Sequence, residues 1–136
     1  MKSKKAILIL TILCTLLIPV TAFAYSYSGI VLPSLSRNAV LADRYKTTND
    51  AYFSHRVTSM GGTYKYVNVW LYCSALSRNL TPAATHRVGD PYYNVYYYDT
   101  SLGSTVHSLG VPVNLTIENA SYTGVAVEAS GSYDVR

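Results

Sequence analysis

The sequence predicts an all-β domain, an antiparallel β-sandwich of six to seven strands with a small β-barrel as the alternative, preceded by a helical signal peptide. Three observations lead there. Apolar residues recur with a period of two in several short runs. Turn signals such as Met60-Gly61-Gly62 and Gly89-Asp90-Pro91 separate those runs. Between them no stretch reads as a well-formed amphipathic helix.

The longest run is Thr63 to Ser74, and it holds the only Trp. Val67, Val69, Leu71 and Cys73 alternate with Tyr64, Tyr66, Asn68, Trp70 and Tyr72. Alternate strand residues leave opposite faces, so this is an aliphatic face backed by an aromatic one. The aliphatic face needs a core. The aromatic face is either a second core layer or a surface for stacking on a ligand.

The other elements follow in chain order. Tyr25 to Leu32 reads as a strand whose apolar set changes face midway, which predicts a bulge near Gly29. Ser34 to Asp50 is a long polar connection. Ala51 to Ser59 is a strand with Phe53, His55 and Val57 on one face, and the glycine pair after it suggests a hairpin into the central strand. Ser74 to Thr85 is a loop, and Tyr92 to Tyr98 a strand with aromatics on both faces. Asp99 to Gly110 reads as a second loop. Val111 to Glu118 puts Val111, Val113, Leu115 and Ile117 inward and Asn114, Thr116 and Glu118 outward, with Pro112 near the strand start. Tyr122 to Val135 closes the chain with Val125, Val127, Ala129, Tyr133 and Val135 in one inward register.

The N-terminus stands apart. Lys2, Lys4 and Lys5 precede an uncharged run from Ala6 to Val20, which ends in Ala22-Phe23-Ala24. A basic start, an apolar middle and small residues at minus three and minus one describe a signal peptide, residues 1–24, cut before Tyr25. The run is too short, and too broken by Pro19, for a retained membrane anchor. A single secreted β domain, residues 25–136, is the expectation, bacterial and either extracellular or attached to the cell surface.

Removing the signal changes the charge argument. The full chain carries 11 Lys and Arg against 7 acidic residues, a net +4; without the three leading lysines the net charge is +1. The eight remaining basic residues are scattered singly, which excludes the clustered basic face that nucleic acid needs. Only Cys73 survives cleavage, so no internal disulfide forms and the fold rests on burial and sheet hydrogen bonds. Cys73 itself is expected in the core.

No catalytic motif is present: no His-Glu-x-x-His, no nucleophile elbow, no phosphate loop, no zinc-binding cysteine pair. His55, His86 and His107 lie far apart in sequence with no ligand spacing, and no metal or other cofactor is called. Glu118 and Glu128 flank the final turn as an exposed pair. The one positive signal is aromatic. Tyr64, Tyr66, Trp70 and Tyr72 share a face at a spacing of ~6.8 Å, which suits stacking on sugar rings or on a partner's apolar groups.

The pattern Gly61/Gly62-x-Tyr64, Val69-Trp70-Leu71, Val88-Gly89-Asp90, Tyr92-Tyr93, Val113-x-Leu115, Glu118-Asn119-x-x-Tyr122-Thr123 and Gly131-Ser132-Tyr133-Asp134 resembles a family of small secreted proteins of Gram-positive bacteria, catalogued only as a domain of unknown function. The resemblance covers about residues 60–134. It implies secretion and small size, and no site residues.

The sequence therefore points to a secreted, non-enzymatic binding protein, with Tyr64, Tyr66, Trp70 and Tyr72 as the ligand-binding candidates. Its expected partner is a cell-wall carbohydrate or a surface protein, without nucleic acid and without a stable membrane anchor after cleavage. The alternatives are a bacteriocin-like antagonistic factor and a small hydrolase.

Overall fold

In a computed structural model, the described residues are 24–136. The predicted signal peptide lies, all but Ala24, outside them. Ten strands and one helix follow: β1 (Tyr25–Leu32), β2 (Ala39–Val40), β3 (Arg44–Tyr45), β4 (Tyr52–Met60), β5 (Tyr66–Cys73), β6 (Arg78–Asn79), β7 (Ala84–Arg87), β8 (Tyr93–Tyr96), α1 (Ser101–Leu109), β9 (Pro112–Asn119) and β10 (Val127–Asp134). Seven strands have four residues or more; β2, β3 and β6 are two-residue pairings within connections read from sequence as loops.

The strands form two antiparallel sheets. Sheet A has the order β1-β10-β4-β8. Sheet B has the order β2-β9-β5-β6, with β3 also on β9 and β7 also on β5. Neither order closes on itself, so the fold is the sandwich and not the barrel.

The period-two pattern explains the core between the sheets. Val67, Val69, Leu71 and Cys73 of β5 are fully buried, as are Val113, Leu115 and Ile117 of β9. Phe53 and Val57 of β4, with Leu32, Ala129 and Tyr133, fill the opposite wall. Burying each such aliphatic side chain contributes about 1.5–3 kcal/mol, and among the described residues no disulfide assists. The bulge expected near Gly29 is present: the β1–β10 register shifts between Tyr27 and Ile30, and Gly29 has φ +61°. That left-handed conformation favours glycine.

Three expectations need correction. First, Gly61-Gly62 does not close a hairpin. β4 belongs to sheet A and β5 to sheet B, so the turn carries the chain across the sandwich. Its Gly61 N–H donates to the Glu128 carbonyl at 2.9 Å. Alternation says which residues face inward, not which strand lies alongside. The same holds for β9 and β10, which lie in different sheets, so Glu118 and Glu128 are not an opposed pair.

Second, residues 101–109 are a helix and not a loop. Gly, Ser and Thr are poor helix formers, but Leu102 and Val106 lie one turn apart and both are buried. Gly103 lets the helix approach the 49–50 backbone; a Cβ there would lie 2.6 Å from the Asn49 and Asp50 carbonyl oxygens. Gly110 ends the helix at φ 59°. Third, Val125 is exposed and precedes β10. The period-two register of β10 itself runs unbroken from Val127 through Ala129 to Tyr133; the shift between Ser130 and Gly131 places the extra residue, Thr58, in β4.

Candidate functional site

The outer face of sheet B is built from the residues of β5 and β9 that the core rejects. Strand pairing fixes its rungs. Trp70 stands opposite Thr116, and Tyr72 opposite Asn114 on one side and Asn79 on the other. Asn68 stands between Glu118 and Thr85. Among the described residues, no second protein layer covers this face: Trp70 and Tyr72 are half-buried, and Tyr66 is 46 % exposed.

Trp70 and Tyr72 lie in an open groove of about 400 Å³, lined also by Asn38, Val40, Asn79, Asn114 and Thr116. No lining residue is charged. Three amides can donate and accept hydrogen bonds along the edges of two aromatic rings. The Asn114 amide nitrogen donates to Asp43 Oδ1 at 3.0 Å, while its carbonyl oxygen is buried without a partner. Beside the groove runs an interlocked polar rung. The Thr85 hydroxyl donates to Asn68 Oδ1 at 2.8 Å, and Asn68 Nδ2 to Glu118 Oε1 at 2.9 Å. That rung spends its polar groups internally and forms a wall.

The four aromatic candidates therefore separate. Trp70 and Tyr72 share the groove. Tyr66 is on the same strand face, beyond the Asn68 rung. Tyr64 precedes β5; its hydroxyl donates to Thr123 Oγ1 at 2.8 Å, and its ring lines a separate depression with Gly61, Gly62 and Val125. Asn38 and Asn79 were not singled out from sequence, where they sit in polar connections. Asn114 and Thr116 were readable as outward residues of β9, and only the register shows which aromatics they face.

A second polar constellation lies inside. His55 on β4 and His86 on β7 meet across the two sheets, Nδ1 to Nδ1, at 2.7 Å. The Tyr27 hydroxyl contacts His55 Nε2 at 2.9 Å. His55 and His86 are both buried. Burial, and then the neighbouring His86, lower the His55 pKa to about 3. Burial lowers that of His86 too, against an opposing pull from Asp90. Burial, and then Tyr133, push the Tyr27 phenol well up. One imidazole must offer an N–H to the other's bare nitrogen, so both rings cannot be charged together, and burial favours the uncharged form of each. The sequence signal was His55 on the inward face between Phe53 and Val57, since a buried polar group needs a partner. His107 is elsewhere, its Nδ1 at 3.0 Å from the Lys46 carbonyl.

Among the described residues, no three His, Cys, Asp or Glu side chains gather closely enough to hold a metal ion. Cys73 is buried and unreactive in position. No helix there is long and apolar enough to cross a membrane.

No family model matches the chain, and no curated protein or solved structure matches it.

Proposed function

We propose that this is a secreted, non-enzymatic protein that binds carbohydrate of the cell envelope on the outer face of sheet B. One observation carries the reading: Trp70 and Tyr72 are partly exposed in an uncharged groove edged by asparagine amides. Flat rings offer apolar area to the C–H faces of sugars, and the amides suit their hydroxyls. A core role would have covered these rings with protein.

The alternatives have less in their favour. A small hydrolase needs paired carboxylates or an activated nucleophile. Glu118 is tied to Asn68, Glu128 is on the other sheet, and the His55–His86 pair is buried against itself. No observation favours an antagonistic factor.

The test is sedimentation with purified cell wall and with insoluble polysaccharide. The wild-type protein is expected in the pellet. Trp70→Ala and Tyr72→Ala, each still folded by circular dichroism, are expected to lose about tenfold or more in affinity, since stacked rings contribute ~1–2 kcal/mol each. Undiminished binding by both variants would sink the reading.

A further inference from the structure

The groove has a direction. Its lining runs from Asn38 and Val40 at the β2 edge, over Asn114 and Thr116 of β9 and Trp70 and Tyr72 of β5, to Asn79 of β6. β2 and β6 are the two edges of sheet B. The groove therefore crosses the strands from one sheet edge to the other. Three steps between neighbouring strands give a length of about 14 Å, close to three sugar rings in a row.

Its chemistry is equally specific. None of the seven lining residues is charged. The carboxylates alongside are occupied: Asp43 by the Asn114 amide and Glu118 by Asn68. Their negative charge opposes a polyanion, and no lysine or arginine lines the groove to attract one. The amides are spread along the path, with Asn38 at one end, Asn114 midway and Asn79 at the other. A pocket for a chain end would place its polar groups around one closed position.

Resting on the carbohydrate reading, we infer that the groove takes an internal stretch of about three units of a neutral polysaccharide, laid across the strands with both chain ends free. Trp70 and Tyr72 form the middle platform. Asn38 and Asn79 hold the outer rings, and both are exposed, so their removal leaves the core intact.

The experiment is titration of Trp70 fluorescence, supported by calorimetry, with N-acetylglucosamine and glucose oligomers of β-1,4 linkage from one to six units. Polygalacturonate serves as the polyanion. Affinity for one or both neutral series should rise steeply up to the trimer and level off beyond four units. Added salt should leave it unchanged. Asn38→Ala and Asn79→Ala should each weaken trimer and longer binding by roughly five- to tenfold, the value of one hydrogen bond, and leave dimer binding within about twofold. Equal affinity for monomer and trimer would overturn the internal-stretch inference while leaving carbohydrate binding standing. So would binding only to polygalacturonate, lost in salt. If neither neutral oligomers, polygalacturonate nor cell wall binds, the functional reading fails with it.

Discussion

The molecule holds two polar–aromatic constellations of similar make-up, and they differ in what covers them. Tyr27, His55 and His86 lie between the sheets, with their polar atoms turned on one another. Trp70, Tyr72 and three asparagines lie on the outside of sheet B, along an open groove. Inside, every hydrogen bond left unmade has a full desolvation cost, so the cluster must be complete and neutral. Outside, water satisfies loose ends cheaply, and a ligand can replace it. Polar and aromatic side chains thus make a lock in one place and a receptive surface in the other.

The sharpest way to break the lock is through Gly131. A Cβ at this position would strike the Arg56 carbonyl and lie 2.5 Å from the Tyr27 hydroxyl. Gly131 pairs with Tyr27 on one side and Val57 on the other, so neither strand can step aside alone. Gly131→Ala is expected to cost about 3 kcal/mol or more, as overpacking does in a filled core. Urea denaturation measures it. A loss below about 0.5 kcal/mol would mean that the seat of Tyr27 is slack.

Acid should open the same lock more gently. The folded pKa values of both histidines are lowered, so the fold prefers them uncharged. Their contribution is fully present above the ordinary histidine value of about 6.5 and declines as pH falls below it, at up to about 1.4 kcal/mol per unit for each ring still neutral in the fold. His55 holds out to about 3. The groups that face the pair are the phenols of Tyr27 and Tyr93, and Asp90, whose charge partly supports His86⁺. A fall of a few kcal/mol between pH 6.5 and 4.5 is expected, followed by urea midpoint. In His55→Gln, the slope over that interval should flatten by about half. An unchanged slope would remove the imidazole pair from the account. Glycan binding above pH 6.5 should not follow this titration, because no histidine lines the groove.

The sequence made the core legible and the topology much less so. Period-two alternation placed Val67, Val69 and Leu71, and Val113, Leu115 and Ile117, on inward faces, where they are found. It did not reveal that the chain changes sheets at Gly61-Gly62 and again after Asn119, because alternation carries no information about neighbours. Helix α1 escaped because three Ser, one Thr and one Gly within Ser101–Leu109 outweigh, in propensity, a single buried pair, Leu102 and Val106. Of the groove, Trp70 and Tyr72 were visible as a stripe. Asn38 and Asn79 were not, since they come from two-residue edge pairings or the turn beside them. His55 was visible as an inward polar residue, but its partner lies 31 positions away on another sheet.

The finest test is a matched pair of hydroxyl deletions, one in each constellation. Tyr27→Phe keeps the ring and removes the one group that satisfies His55 Nε2. The nitrogen stays buried, so the expected cost is about 1–3 kcal/mol, the desolvation of an unpaired polar atom. Tyr72→Phe makes the same chemical change on a half-exposed ring, and its lost hydroxyl strands no buried partner; the expected cost is within about 0.5 kcal/mol. Stacking depends on the ring, so Tyr72→Phe should also keep most of the carbohydrate affinity that Tyr72→Ala loses. Equal costs at the two positions would erase the distinction between lock and surface, for covering is the only thing that separates them. A large cost at Tyr27 with none at Tyr72 would locate the stability of this domain in its interior polar seam, and leave the outer face of sheet B free to serve a ligand.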